Sequence, residues 1–186
     1  RRDTMKAKII LSTLAATILI FSSTQAFALF SISAGVPISQ SFTVKDSSGG
    51  TIESDGVSGV FMHASLPILV GFGVENYTTK IKSTSSLDLA TTMYDIFYLL
   101  PIPIVNLTIG LGTGSTELQC STCSAVYDKG KPTQWYASLG VPFFPFFDMH
   151  LSYRSITSKM AIKAAAGGGE LDLSGNVTGV GIMFSF

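Results

Sequence analysis

The sequence is poor in charge, in cysteine and in long apolar runs. Only 13% of its 186 residues are Asp, Glu, Lys or Arg, and the formal net charge is zero. After residue 28 no apolar stretch approaches the roughly 20 residues a membrane-spanning helix needs, which excludes a bilayer crossed by helices. Two cysteines, Cys120 and Cys123, are too few for a disulfide framework, and no further ligands stand near them at zinc spacing. No metal site and no cofactor are expected.

The first segment reads as an export signal. Lys6 and Lys8 precede an apolar run from Ile9 to Phe21, and Ala26-Phe27-Ala28 places small residues where a signal peptidase reads. Arg1 to Thr4 stand ahead of Met5, which reads as the initiator. Residues 1–28 are therefore expected to be a signal peptide and residues 29–186 one domain. No cysteine follows the expected cleavage point, which argues against a lipoprotein anchor. Removing the leader takes away Arg1, Arg2, Lys6 and Lys8 but only Asp3 among the acids, so the remainder carries a net charge of about −3 and offers no basic surface to nucleic acid.

What the remainder does have is alternation. Successive side chains of a strand point to opposite faces. Val105, Leu107, Ile109 and Leu111 share one parity, and Asn106, Thr108, Gly110 and Gly112 the other. Ile68, Val70, Phe72 and Val74 alternate in the same way with Gly71, Gly73 and Glu75, and Phe147, Met149, Leu151 and Tyr153 with Asp148, His150, Ser152 and Arg154. Val180, Ile182, Phe184 and Phe186 close the chain on the same pattern. Weaker versions run through Phe30 to Val36, Val60 to Leu66, Tyr94 to Tyr98 and Trp135 to Val141. Short proline-bearing turns (Leu66-Pro67-Ile68, Leu100 to Pro103, Pro142 to Pro145) alternate with longer polar loops over 45–55, 79–86, 118–133 and 157–169. Tight turns on one rim and long loops on the other are what a transmembrane β-barrel shows, and 158 residues suit eight strands of about ten residues with their connections. The expected fold is all-β, an eight-stranded antiparallel up-and-down transmembrane barrel, monomeric, with both ends of the domain on the short-turn rim.

Sidedness separates this reading from a soluble lipocalin-like barrel, whose bulky apolar residues would fill the interior. Here the polar face is rich in glycine and carries ionisable groups, which makes a poor dry core. Aromatics gather near strand ends. Tyr98, Phe143, Phe144, Phe146, Phe147 and Phe186 fall at the short-turn side, and Phe42, Tyr77, Trp135 and Tyr153 are expected to form a second girdle towards the long loops. On these residues the chain resembles the small outer-membrane barrels of the OmpA, OmpX and OmpW type over essentially all of residues 29–186. The resemblance implies a location in the bacterial outer membrane, and Gly181, Phe184 and Phe186 resemble the terminal signal read by barrel-assembly machinery. The polar residue that usually opens this signal would fall at Gly179.

Parity assigns His63, Glu75, Asp95, Asp148, His150 and Arg154 to the interior. An eight-stranded barrel is only wide enough for side chains to fill it, so these charges are expected to pair into a polar network, Arg154 with one of the carboxylates. A proton or cation leak is the alternative. Lys45, Lys80, Lys82, Lys129, Lys131, Lys159 and Lys163 all lie in or beside the long loops, where they are expected either to meet lipopolysaccharide phosphates or simply to be solvated. Cys120 and Cys123, exported, are expected to close a small disulfide, with free thiols the alternative. His150 and Ser152 resemble the His-x-Ser pair of barrel-type lipid A deacylases. Both face inward, however, near the short-turn rim, and no acid follows at a comparable spacing. The leading functional expectation is a non-enzymatic structural or surface-interaction barrel acting through four long loops. A narrow channel for small apolar or ionic solutes and a lipid-modifying enzyme are the alternatives.

Overall fold

The structure, a computed structural model, describes residues 30–43, 52–66, 70–82, 87–102, 105–144 and 146–186. The expected signal peptide, Lys45, and the turn residues Pro67, Ile68, Pro103 and Pro145 lie outside the described residues.

Eight strands close a barrel: β1 (Ser31–Phe42), β2 (Ser54–Ser65), β3 (Val70–Ile81), β4 (Leu87–Pro101), β5 (Asn106–Gln119), β6 (Thr133–Phe144), β7 (Phe147–Thr157) and β10 (Gly175–Ser185). Each pairs antiparallel with its neighbour, and β1 joins β10 to close the ring. Two three-residue strands, β8 (Lys159–Ala161) and β9 (Glu170–Asp172), form a separate hairpin inside the last long loop. Closure leaves no free sheet edge, the condition for taking a polar backbone through hydrocarbon. At the short-turn rim the ends of the described domain pair, with Phe186 N–H donating to Phe30 C=O at 2.9 Å and Phe30 N–H to Phe186 C=O at 3.2 Å.

Alternation sets the two faces as the sequence predicts. Phe72, Ile96, Ile109, Leu111, Leu139, Met149, Leu151 and Ile182 cover the outside, Leu111 being 69% exposed. Glu75, Asp148 and Arg154 on the opposite parity are sealed inside.

Two of the aromatic placements are corrected. A β-bulge between Pro37 and Ser39 adds one residue to β1, reversing the parity of everything after it, so Phe42 turns inward instead of joining the outer girdle. Tyr77 shares the parity of Gly73 and Glu75 and is buried edge-on against Phe61, ring centroids 5.8 Å apart. Of the four aromatics expected in that girdle, Trp135 and Tyr153 face outward, their rings 5.8 Å apart.

The bulge has a second effect. β1 pairs with β2 only from Ser31↔Ser65 to Gly35↔Phe61, while beyond that β1 continues on β10 and β2 on β3.

The long-loop end is capped by an apolar cluster of Phe42, Leu89, Leu118, Cys123, Met160 and Leu173. The third and fourth long loops are stitched together above it. Cys120 and Cys123 form a disulfide beside a one-turn helix, Cys123–Val126. Asp128 N–H donates to Ala161 C=O and Lys163 N–H to Val126 C=O, each at 2.9 Å. These loops are an ordered surface with their own small core.

Candidate functional site in the barrel interior

The interior is organised in rows of residues paired across the strands, with large side chains alternating with glycine. One row runs His63–Gly73–Asp95–Gly112–Gln134 from β2 to β6, and the next Ser65–Gly71–Phe97–Gly110–Tyr136–Arg154–Val177 from β2 to β10. A methyl added at Gly73 would strike the His63 imidazole, and one at Gly112 the Asp95 carboxylate. The glycines seen in the sequence as a polar face are thus the spaces into which the neighbouring strands' side chains fold.

Arg154 on β7 is the centre. Its Nε donates to Glu75 Oε1 at 2.7 Å and Oε2 at 2.9 Å, its second terminal nitrogen lies 2.7 Å from Oε1, and its first donates to Ser152 Oγ at 2.6 Å. The guanidinium carbon sits 3.6 Å from the centroid of Phe61 and 5.4 Å from that of Tyr136, so the cation is held by aromatic faces as well as by its carboxylate. Arg154 is 1% exposed and Glu75 0%. A buried charge with both a bidentate partner and aromatic packing avoids the large cost of an unpaired one.

Gln134 links the second carboxylate. Its amide nitrogen donates to Asp95 Oδ1 at 2.7 Å and to Glu75 Oε2 at 3.2 Å. His63 approaches from the other side, its Nε2 3.3 Å from Glu75 Oε1 and 3.9 Å from Asp95 Oδ2. Of the six predicted interior groups, His63, Glu75, Asp95 and Arg154 are brought together. Asp148 and His150 lie nearer the short-turn rim, where Asn106 donates to Asp148 at 2.5 Å. Between the two levels is a cavity of about 30 Å³, bordered by Ser31, Ser33, Ser65, His63 and His150 together with Phe97, enough for a water molecule.

Sequence reading missed Phe61, Gln134 and Tyr136 as interior partners. The signal was present for all three, because Trp135 facing lipid turns Gln134 and Tyr136 inward, and Val60 and Met62 facing outward turn Phe61 inward.

His150 and Ser152 border the same interior cavity. Ser152 Oγ accepts from Arg154 and donates to Gly179 C=O at 3.1 Å, and no hydrogen bond among the described residues joins it to His150. Among the loop lysines, Lys82 meets Glu53 at 2.7 Å, Lys129 meets Glu117 at 2.8 Å, Lys159 meets Glu170 at 3.5 Å, and Lys163 meets Asp128 at 3.8 Å. Lys80, on the outward face of β3 near its outer end, and Lys131 make no ion pair among the described residues. Gly181 lies against His150 and the first strand, while Phe184 packs on Phe147 at the outer surface, ring centroids 5.2 Å apart. Phe186 is exposed at the rim.

No protein-family profile and no curated relative matches the chain. Solved structures do. Neisserial surface protein A superposes with a TM-score of 0.58 at 11% identity, over 84% of this chain and 97% of the other. Outer membrane protein W of E. coli gives 0.58 at 10% identity, over 86% and 98%. OprG of Pseudomonas aeruginosa gives 0.50 at 14% identity, over 84% and 95%. At such identities the likeness is one of fold, and it agrees with the closed ring of strands and its apolar exterior. The chain has the fold of the small eight-stranded β-barrels of the bacterial outer membrane.

Proposed function

We propose that the protein is a non-enzymatic barrel resident in the bacterial outer membrane, inserted there as a monomer by the barrel-assembly machinery, and that it acts through its long-loop surface. The observation that carries this reading is the division of the molecule. The interior is occupied across its middle by Arg154, Glu75, Phe61, Tyr77 and Tyr136, whereas the elaboration lies in the third and fourth long loops, which are tied by a disulfide, a hairpin and ion pairs. A filled interior supports a structural scaffold, and a preformed outer surface supports a contact surface. Its nearest partner is lipopolysaccharide. Among the described loop lysines four are engaged by carboxylates, so among these phosphate contact falls to Lys80 and Lys131, with Lys80 directed at the outer-leaflet headgroups. Lipopolysaccharide is expected to raise the melting temperature of the purified barrel, and Lys80→Gln with Lys131→Gln to abolish the rise. An equal rise in both proteins would remove lipopolysaccharide from this account. In planar bilayers the barrel is expected to show no discrete conductance, and a steady single-channel current would favour a pore.

A second reading rests on the short β1–β2 ladder. Its register ends at Gly35 and Phe61, short of the apolar cluster that caps the interior, and a seam held by few ladder bonds is suited to passing a small apolar solute sideways into the acyl layer. Proteoliposome uptake of an apolar dye faster than in protein-free vesicles would favour it, and equal rates would discard it.

A further inference from the structure

We propose that His63, Glu75 and Asp95 form a binding site for one divalent transition-metal ion of the zinc class, a staple joining β2, β3 and β4 inside the barrel. The three residues lie on consecutive strands. Gly73 stands between His63 and Asp95 in the same row, and its missing side chain lets both reach over it. One ligand-type atom from each lies within 4.8 Å of the other two. Ligands about 2.0–2.2 Å from a tetrahedral ion stand roughly 3.3–3.5 Å from one another. His63 Nε2 to Glu75 Oε1 is 3.3 Å and His63 Nε2 to Asp95 Oδ2 is 3.9 Å, a spacing that a small inward movement closes.

The polar bookkeeping of the site points the same way. His63 Nε2 and Asp95 Oδ2 are both buried without a hydrogen-bond partner, and Asp95 is 2% exposed. A proton on either atom cannot serve both, because 3.9 Å is beyond hydrogen-bond reach. An ion bound to each at coordination distance can. Gln134 meanwhile holds Glu75 Oε2 and Asp95 Oδ1, which leaves Asp95 Oδ2 for the ion, while Glu75 Oε1 would share the ion with the Arg154 guanidinium, whose Nε and second terminal nitrogen each lie 2.7 Å from that oxygen. Ligating carboxylates are commonly fixed in this way by outer hydrogen bonds. A serine-lined cavity borders His63 towards the short-turn side. Imidazole with two carboxylates suits zinc and its neighbours, and too few oxygens converge for calcium.

The test uses the refolded barrel in detergent, made without a polyhistidine tag and stripped with EDTA, titrated with Zn²⁺ and with Co²⁺ as a spectroscopic probe. The wild type is expected to bind one equivalent of either ion, the cobalt form showing the visible bands of a four-coordinate site. His63→Ala and Asp95→Asn are each expected to weaken binding at least 100-fold, and His150→Ala, the other histidine of the same cavity, to leave it unchanged. Heat-modifiable gel migration verifies that each variant folds. Absence of saturable binding by the wild type overturns the proposal, as does binding that survives in folded His63→Ala and Asp95→Asn or is lost in His150→Ala. Should the two ligand variants fail to fold, X-ray absorption at the zinc edge of the loaded wild type decides. A single imidazole among oxygen ligands at about 2.0 Å supports the site, and a spectrum without imidazole scattering refutes it.

Discussion

Arg154 and Glu75 face each other across the whole width of the barrel. Three strands stand between β7 and β3 whichever way round the wall one counts, and the two residues are 79 positions apart in sequence. Their ion pair is a tie between opposite walls, with the aromatic faces of Phe61 and Tyr136 about the guanidinium. Removing one partner strands the other as a buried charge, which costs about 3–5 kcal/mol. Glu75→Gln and Arg154→Met are each expected to destabilise the barrel by that amount in urea unfolding from lipid vesicles. The double variant is expected to recover most of the loss. Additive losses in the double variant would show that the two residues are not coupled.

Gly73 opposes His63, and a side chain there occupies the place of the ring. Gly73→Ala is expected to cost about 1–3 kcal/mol, the usual range for overpacking. Gly56, which has open space around its α-carbon but a φ of 122°, is a control for backbone strain without crowding. Combining Gly73→Ala with His63→Ala is expected to restore stability relative to Gly73→Ala alone, as read by the same unfolding curves.

Trp135, the sole tryptophan, is 49% exposed on the outer face near the long-loop end. Brominated lipids are expected to quench its fluorescence, and more strongly with bromine near the headgroup than at the acyl terminus. Aqueous iodide is expected to quench it weakly. The reverse order would place the indole in the interior.

Lys82 donates to Glu53 and attracts it, which holds the Glu53 carboxyl below the usual glutamate range and raises Lys82 above its own. A depressed carboxyl contributes stability above the ordinary glutamate value and loses it as pH falls through the folded value. Both groups are solvent-exposed and screened, so the contribution is small. Glu53→Gln is expected to leave the acid unfolding profile unchanged, as followed by heat-modifiable migration between pH 7 and about pH 3. A large acid shift would mean that the pair anchors the loop.

Period-two alternation made most of the wall legible, because one face of each strand meets lipid and the other meets neighbouring side chains. Phe42 escaped because the extra residue at Ile38 reverses parity without any polar signal, Pro37 being the only local hint. Tyr77 was misplaced through its nearness to a long loop, although its own strand's alternation turns it inward. The interior groups were legible by face and not by partner. Which side chains meet depends on strand stagger, and that brings Glu75 one step along from the row of His63 and Asp95. Gln134, with no charge to draw attention, bridges both carboxylates. The glycines carried the information in negative form, each marking where a neighbour's side chain lies.

The account depends most directly on which face of the strands meets lipid. Single cysteines along β5 from Leu107 to Gly112, spin-labelled in bilayers, test it through collision with oxygen dissolved in the acyl chains. Labels at Leu107, Ile109 and Leu111 are expected to show high oxygen accessibility, and those at Thr108, Gly110 and Gly112 low accessibility. A flat profile, or one with the opposite phase, would contradict the barrel as described.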